Sequence, residues 1–190
     1  MSYTIETTIK GVVLRFKTSS DVFSPASIDR GTQAMLSIVN FSDDDKVLDL
    51  GCGYGVVGIL AAKLISPQKV IMTDKDSAAI ELSSENALLN HVEGVQICKS
   101  DGFRDLTVTD FTMILSNPPY HTDFSVARKF IEKGFNRLVL GGRIYMVTKR
   151  KTWYQKKLIS VFGGVSVQEI DGYHVFFAEK RSNTYADRRA

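Results

Sequence analysis

From Lys46 to Glu179 the chain alternates short apolar runs with longer stretches whose apolar residues recur at helical spacing, and each change of period marks an element boundary. The runs Val47 to Leu50, Val70 to Thr73, Val95 to Cys98 and Phe111 to Leu115 predict strands. Helical spacing from Val56 to Ile65, Asp76 to Asn90 and Asp123 to Leu138 predicts helices, and strands that alternate with helices imply a parallel sheet. Gly141-Gly142 reads as a turn into a strand from Arg143 to Thr148, followed by a helix around Trp153 to Phe162. Two strands, Ser166 to Ile170 and His174 to Glu179, come last, and the short link with Gly172-Tyr173 between them implies antiparallel pairing. At the other end, Tyr3 to Ile9 and Val12 to Thr18 alternate apolar and polar residues about Lys10-Gly11, the pattern of a β-hairpin. A loop-like segment, Ser20 to Pro25, leads to a helix of about three turns from Ile28, which stops before Asp43-Asp44-Asp45. On the Asp76 to Asn90 helix, Asn86 shares its stripe with Ala79, Leu82 and Leu89, so this polar group among core positions needs a bonding partner.

A length of 190 residues with 44% hydrophobic content suits one sizeable core. The expected organisation is a single domain over 1–190: a hairpin-and-helix flap over 1–45, a core over 46–180 and a charged, frayed tail over 181–190. Cys52 and Cys98, the only cysteines, are too few for a disulfide framework or a cysteine-rich zinc site, so no metal is expected. With no basic-then-apolar leader and no apolar run near the ~18 residues of a membrane span, a soluble, cytoplasmic protein is expected. The net charge of +3 hides a segregation: from Arg128 to Lys157 there are ten basic residues and one acid, Glu132. That imbalance suggests a face aimed at a polyanion, with a solvated helix face as the plainer alternative.

Candidate chemistry concentrates in Lys46 to Gly58, which reads K-V-L-D-L-G-C-G-Y-G-V-V-G. A strand stops at glycine and a helix starts at once, and Gly51, Gly53 and Gly55 remove side chains where the chain bends and where a ligand would touch backbone. Gly53, Gly55 and Gly58 also satisfy the dinucleotide pattern G-x-G-x-x-G, which is weak alone. Asp49 separates the two readings. A carboxylate just ahead of the turn repels a pyrophosphate but suits a cationic or zwitterionic ligand such as S-adenosylmethionine (SAM). Asp74, ending the second strand, is placed to accept from ribose hydroxyls, with a helix N-cap as its alternative role. Asp101 could accept from an adenine amino group, with Phe103 or an apolar neighbour against the ring. Cys52 has no apparent His or Asp partner and reads as a small packing residue of the turn.

Asn117-Pro118-Pro119-Tyr120 is the second motif, predicted on the same sheet edge. The prolines hold the chain extended and remove two amide donors, leaving an acceptor-rich pocket that suits an NH2 nucleophile. The side-chain oxygen of Asn117 and the carbonyl of Pro118 could each take one amino hydrogen, and Tyr120 offers a face for a planar group.

Together, Asp49-Leu50-Gly51-Cys52-Gly53-Tyr54-Gly55 and Asn117-Pro118-Pro119-Tyr120 resemble the class I SAM-dependent methyltransferases that modify exocyclic or amide nitrogens. With Val22-Phe23-Ser24, Asp29-Arg30-Gly31-Thr32 and His121 included, the chain is similar over nearly its whole length to the RsmC-type small methyltransferase domain, which methylates guanine N2 in 16S ribosomal RNA. The resemblance implies an α/β fold: a Rossmann-like, seven-stranded, mostly parallel sheet with helices on both faces and an N-terminal hairpin. It implies catalytic roles for Asn117, Pro118, Pro119 and Tyr120. It implies SAM contacts from Phe23, Ser24 and Thr32, from the turn residues Asp49, Gly51, Cys52, Gly53, Tyr54 and Gly55, and from Asp74, Lys75, Asp101, Gly102 and Asn117. RNA contacts would come from His121 and from two basic clusters, Lys129, Lys133 and Arg137, and Lys149, Arg150 and Lys151. Ribosomal RNA or the small ribosomal subunit is the expected partner, for a monomer or a homodimer. Proteins of that type carry a second, degenerate copy of the domain ahead of the catalytic one, where this chain has only the hairpin, so the modified position stays open. Adenine N6 or a protein glutamine as acceptor, an RNA-binding assembly factor that keeps the fold, and a NAD-dependent reductase are the alternatives.

Overall fold

Val47–Leu50 is buried at all four positions, so neither face of this strand meets water and it belongs in the middle of a sheet. The computed structural model describes residues 2–19, 27–119 and 123–187. The strands are β1 (Ser2–Ile9), β2 (Val12–Ser19), β3 (Val47–Leu50), β4 (Val70–Asp74), β5 (Gln96–Lys99), β6 (Phe111–Ser116), β7 (Leu138–Thr148), β8 (Ser166–Ile170) and β9 (Tyr173–Glu179). The helices are α1 (Arg30–Ile38), α2 (Val56–Leu64), α3 (Ser77–Leu89), α4 (Ser125–Arg137) and α5 (Lys151–Phe162). Seven strands form one sheet in the order β5-β4-β3-β6-β7-β9-β8. All neighbours are parallel except β9, which is antiparallel to both β7 and β8. The chain leaves β3 towards β4 and β5 and then returns to the other side as β6. Strand order therefore reverses between β3 and β6, and the crevice beyond their carboxyl ends is where an open α/β sheet binds ligands. Met35, Leu36, Ile59, Leu60 and Ala87 fill one face; Ile131, Phe135, Tyr154 and Leu158 fill the other.

The β1-β2 hairpin turns through Lys10 and Gly11, both at positive φ, and packs Leu14 and Phe16 into the first of these cores. Its edge is held by Asn86 of α3 and by Asn90, the C-cap of that helix. Asn86 Oδ1 accepts from the Lys17 N–H at 2.7 Å, while its Nδ2 donates to the carbonyls of Lys17 and Tyr54, both at 2.9 Å. Asn90 repeats the pattern on Arg15, accepting at 3.0 Å and donating at 2.6 Å. The match is geometric: four residues of helix rise about 6 Å and two residues of strand about 6.6 Å, so side chains one helical turn apart meet alternate residues of β2. The partner that Asn86 needs is thus a strand edge plus the glycine turn.

Three local expectations change. Gly141-Gly142 is not a turn, because β7 runs unbroken from Leu138 and absorbs the glycines in a bulge opposite Phe111 to Met113, with Gly141 at φ 80°. The last hairpin turns one residue earlier than expected, through Asp171 and Gly172, and Tyr173 already pairs with Ile170. The tail does not fray up to Asp187: Ala186 and Asp187 donate backbone bonds to Val161 and Ser160, and Tyr185 packs edge-on against Phe135 at 5.1 Å. An aromatic anchor in a charged segment outweighs its average composition. Among the described residues no helix is long and apolar enough to cross a membrane.

Candidate active site

At the end of β3 the chain reverses against β4, because the N–H groups of Gly51 and Cys52 both donate to the Thr73 carbonyl at 2.9 Å. Gly53 sits at φ 54° and gives its N–H to Asp74 Oδ2 at 2.9 Å. A Cβ added at Gly51 or Gly53 would meet nothing within 4 Å, so this side of the turn faces open space. Gly55 differs. A Cβ there would strike Met72 Cε at 2.8 Å, and Gly55 does not line the cavity; its missing side chain lets helix and sheet approach.

The cavity beyond the turn has a volume of about 340 Å³, within the range of small-molecule sites. Gly51, Cys52, Gly53 and Tyr54 line it together with Asp49, Asp74, Lys75, Asp101 and Gly102. Asp74 is not the cap of α3. Asp76 takes that role by accepting from Ala78, while Asp74 Oδ1 accepts from the Asp76 N–H at 3.0 Å. Both Asp74 oxygens are thereby fixed by backbone donors. Phe103 turns into the core, and the apolar wall comes from Val126 and Phe130 of α4.

Asp49 lies beneath the turn, 3% exposed, and accepts from the Gly58 N–H at 2.8 Å. Burial pushes its carboxyl up to about 7, opposed by the Gly58 hydrogen bond and reinforced by the nearby Asp74. Burial, then Asp49 and Asp74, hold the Cys52 thiol well above its ordinary range, which argues against a thiolate nucleophile. Burial and then Asp29 raise the Tyr54 phenol to about 12. Among the described residues the hydroxyls of Tyr54 and Thr73 are buried without a hydrogen-bond partner, and both residues line the cavity. Buried polar groups of this kind fit a ligand that brings its own polar atoms.

Asn117 follows β6. Its Nδ2 donates to Asp29 Oδ1 at 2.7 Å and to Thr32 Oγ1 at 3.1 Å, and the same Asp29 oxygen caps α1 by accepting from the Thr32 N–H at 2.8 Å. Flipping the amide would set two oxygens 2.7 Å apart, so its orientation is determined. Among the described residues nothing donates to Asn117 Oδ1. Asp29, Thr32, Asn117, Pro118 and Pro119 share the cavity with the glycine turn. The Asp29 contact spans 88 positions and had no signal in the sequence beyond the family resemblance.

The basic residues divide. Lys149, Arg150 and Lys151 lie at the carboxyl end of β7 and the start of α5, on the edge that holds the cavity. Lys129 is near the start of α4, beside Asp123, whose carboxyl is held down by Ser125 first and Lys129 last. Arg137 is at the far end of α4, about 18 Å along the axis, where Nη1 donates to the Val108 carbonyl at 2.7 Å. Lys133 stands between them. The expected stripe is therefore not a unit at the cavity, because a helix antiparallel to its strands carries its last turns away from the carboxyl edge. Phe23, Ser24, Tyr120 and His121 lie outside the described residues.

The sheet order, the reversal at β3 and β6 and the glycine turn define a Rossmann-like α/β protein of the class I methyltransferase fold. Residues 13–177 match the family described as "Methyltransferase small domain", and the chain belongs to that family. Ribosomal RNA small subunit methyltransferase C of Hamiltonella defensa is 34% identical over 158 residues, covering 81% of this chain and 46% of that protein. The Bacillus subtilis protein YbxB is 32% identical over 171 residues, covering 87% of this chain and 85% of its own length. Among solved structures, the Thermus thermophilus 16S rRNA N2 methyltransferase RsmC, in complex with AdoMet and guanosine, superposes with a TM-score of 0.85 at 26% identity, covering 95% of this chain and 51% of that one. This chain spans about half the length of the ribosomal RNA methyltransferases it matches.

Proposed function

We propose that this chain is a SAM-dependent N-methyltransferase that acts on the exocyclic N2 amine of a guanine in 16S ribosomal RNA, working in the cytoplasm on the RNA or the small subunit. The observation that carries the reading is the fixed Asn117 amide: Asp29 and Thr32 hold its NH2, which leaves Oδ1 as a pure acceptor in the cavity of the glycine turn. A pure acceptor suits an amine. Bound SAM supplies an electrophilic methyl group on a sulfonium. Asp74 would receive the ribose hydroxyls, Asp101 the adenine amino group, and the open faces of Gly51 and Gly53 the ligand's closest approach. Asn117 Oδ1 and the Pro118 carbonyl would each accept one amine hydrogen and aim the nitrogen lone pair at the methyl carbon. As the N–C bond formed, the sulfonium's S–CH3 bond would break to leave a neutral thioether, and the developing positive charge on nitrogen would strengthen both hydrogen bonds, which would thus stabilise the transition state more than the ground state. The surplus proton then passes from nitrogen to solvent.

The relatives' names support ribosomal RNA as the substrate class, and the guanosine in the Thermus thermophilus complex supports guanine within it. The test is mass spectrometry of 16S ribosomal RNA from cells with and without the protein. The proposal expects loss of N2-methylguanosine at one position; an unchanged set of methylated guanines contradicts it.

A further inference from the structure

Beside the cavity, side chains from the starts of two helices form a stack. Phe124, the N-cap of α4, and Trp153, in the first turn of α5, lie 11° from parallel with ring centroids 4.3 Å apart. The Arg150 guanidinium lies over the Phe124 ring at 5.1 Å, and that of Arg128 over the Trp153 ring at 6.0 Å. Tyr154 closes the inner edge, T-shaped to Phe124 at 6.2 Å and 2% exposed. Both outer rings are half-buried, and both arginines are exposed. Phe124 is two residues from Val126, which lines the cavity.

We propose that this arginine–aromatic stack docks the nucleotide that flanks the one entering the cavity, in single-stranded RNA. The inference rests on the RNA reading above and adds where the strand lies. Tyr154 is accounted for by core packing, but two guanidinium groups over half-exposed rings gain little for the core. Such a group adds positive charge that attracts phosphate, and its planarity extends the stack for a base. The charge around it is complementary to a polyanion. Lys149 lies over the Tyr173 ring at 5.0 Å, Lys151 is exposed two residues before Trp153, and of the acids nearby Glu132 is held by Lys157 at 2.6 Å while Asp123, next to Phe124, accepts from the Ser125 N–H at 2.8 Å. An acidic peptide would meet the charge but bring no base to stack.

Trp153 is the only tryptophan, so its fluorescence reports on the stack in the unaltered protein. A short, guanine-containing single-stranded RNA with an end label is titrated while its anisotropy and the Trp153 emission are recorded. Both signals should saturate together, with the emission quenched. The double variant Arg128→Lys, Arg150→Lys keeps both charges and loses the planar groups; its affinity should fall roughly 10-fold with an unchanged salt slope. The corresponding double alanine variant should also flatten that slope by about 1.4. RNA binding that leaves Trp153 emission and the lysine variant's affinity unchanged overturns the stack as a dock while leaving the RNA reading intact. Equal quenching by polyglutamate overturns RNA as the occupant. No binding of the RNA at any salt concentration overturns both this inference and the reading it rests on.

Discussion

Asn117 is informative because its orientation is held by neighbours that can be changed without touching it. Asp29→Ala removes the oxygen that holds the Asn117 NH2, together with the side-chain cap of α1, so the Asn117 amide is free to flip. Turnover should fall roughly 10- to 100-fold with SAM affinity nearly unchanged, and Asn117→Ala should cost on the order of 100-fold, the scale of a lost transition-state hydrogen bond. Equal losses in SAM affinity, measured by calorimetry, would move both residues from the amine to the SAM site. Asp49 gives a separate pH signature. Its carboxyl is raised from 3.8 to about 7, so between these values the folded protein holds a proton that the unfolded chain releases. The group's contribution to stability therefore falls as pH rises through that window. A cationic ligand favours the ionised form, so SAM affinity should rise with pH up to about 7, by at most about tenfold per unit, with a proton released on binding. Calorimetry in buffers of different ionisation enthalpy measures that proton; a flat profile with no release contradicts the placement of the ligand cation near Asp49.

Among elements, the hairpin shows how a peripheral piece is tied to the site. Asn86 bonds the edge of β2 and the Tyr54 carbonyl of the glycine turn at once. Asn86→Ala leaves three buried or half-buried backbone groups unmatched and should cost roughly 2 to 4 kcal/mol in chemical denaturation. The Lys17 amide should then lose protection from hydrogen exchange; unchanged protection would mean that packing of Leu14 and Phe16 alone holds the hairpin. The position of Asn86 on an apolar stripe was legible in the sequence, but its partner was not, because the contact spans 69 positions and depends on the register of a strand edge. The same division runs through the molecule. The glycine turn was legible because its chemistry is local: strand, glycine and helix are consecutive. Gly141-Gly142 was misleading because a bulge and a turn ask the same of glycine, and only pairing with β6 and β9 decides between them. The Asp29–Asn117 contact joins two loops that only the folded sheet brings together.

Over the whole molecule, the sheet sorts residues by edge, and position along a helix decides which charges can serve the cavity. Lys149, Arg150 and Lys151 are on the carboxyl edge, whereas Arg137 is spent at the opposite end on the Val108 carbonyl. Replacing the first three with alanine should flatten the slope of log RNA affinity against log salt by roughly 2, while Arg137→Ala leaves it unchanged. A flattened slope for Arg137→Ala would place RNA along the whole of α4. The central claim is methyl transfer to guanine N2, and purified protein tests it most directly. Unmethylated 16S ribosomal RNA or small subunits are incubated with methyl-labelled SAM, and the RNA is digested to nucleosides and resolved by mass spectrometry. The account predicts label in N2-methylguanosine, saturating at one site per RNA and lost with Asn117→Ala. Label in N6-methyladenosine or in protein, or none in RNA from an enzyme that binds SAM, would contradict it.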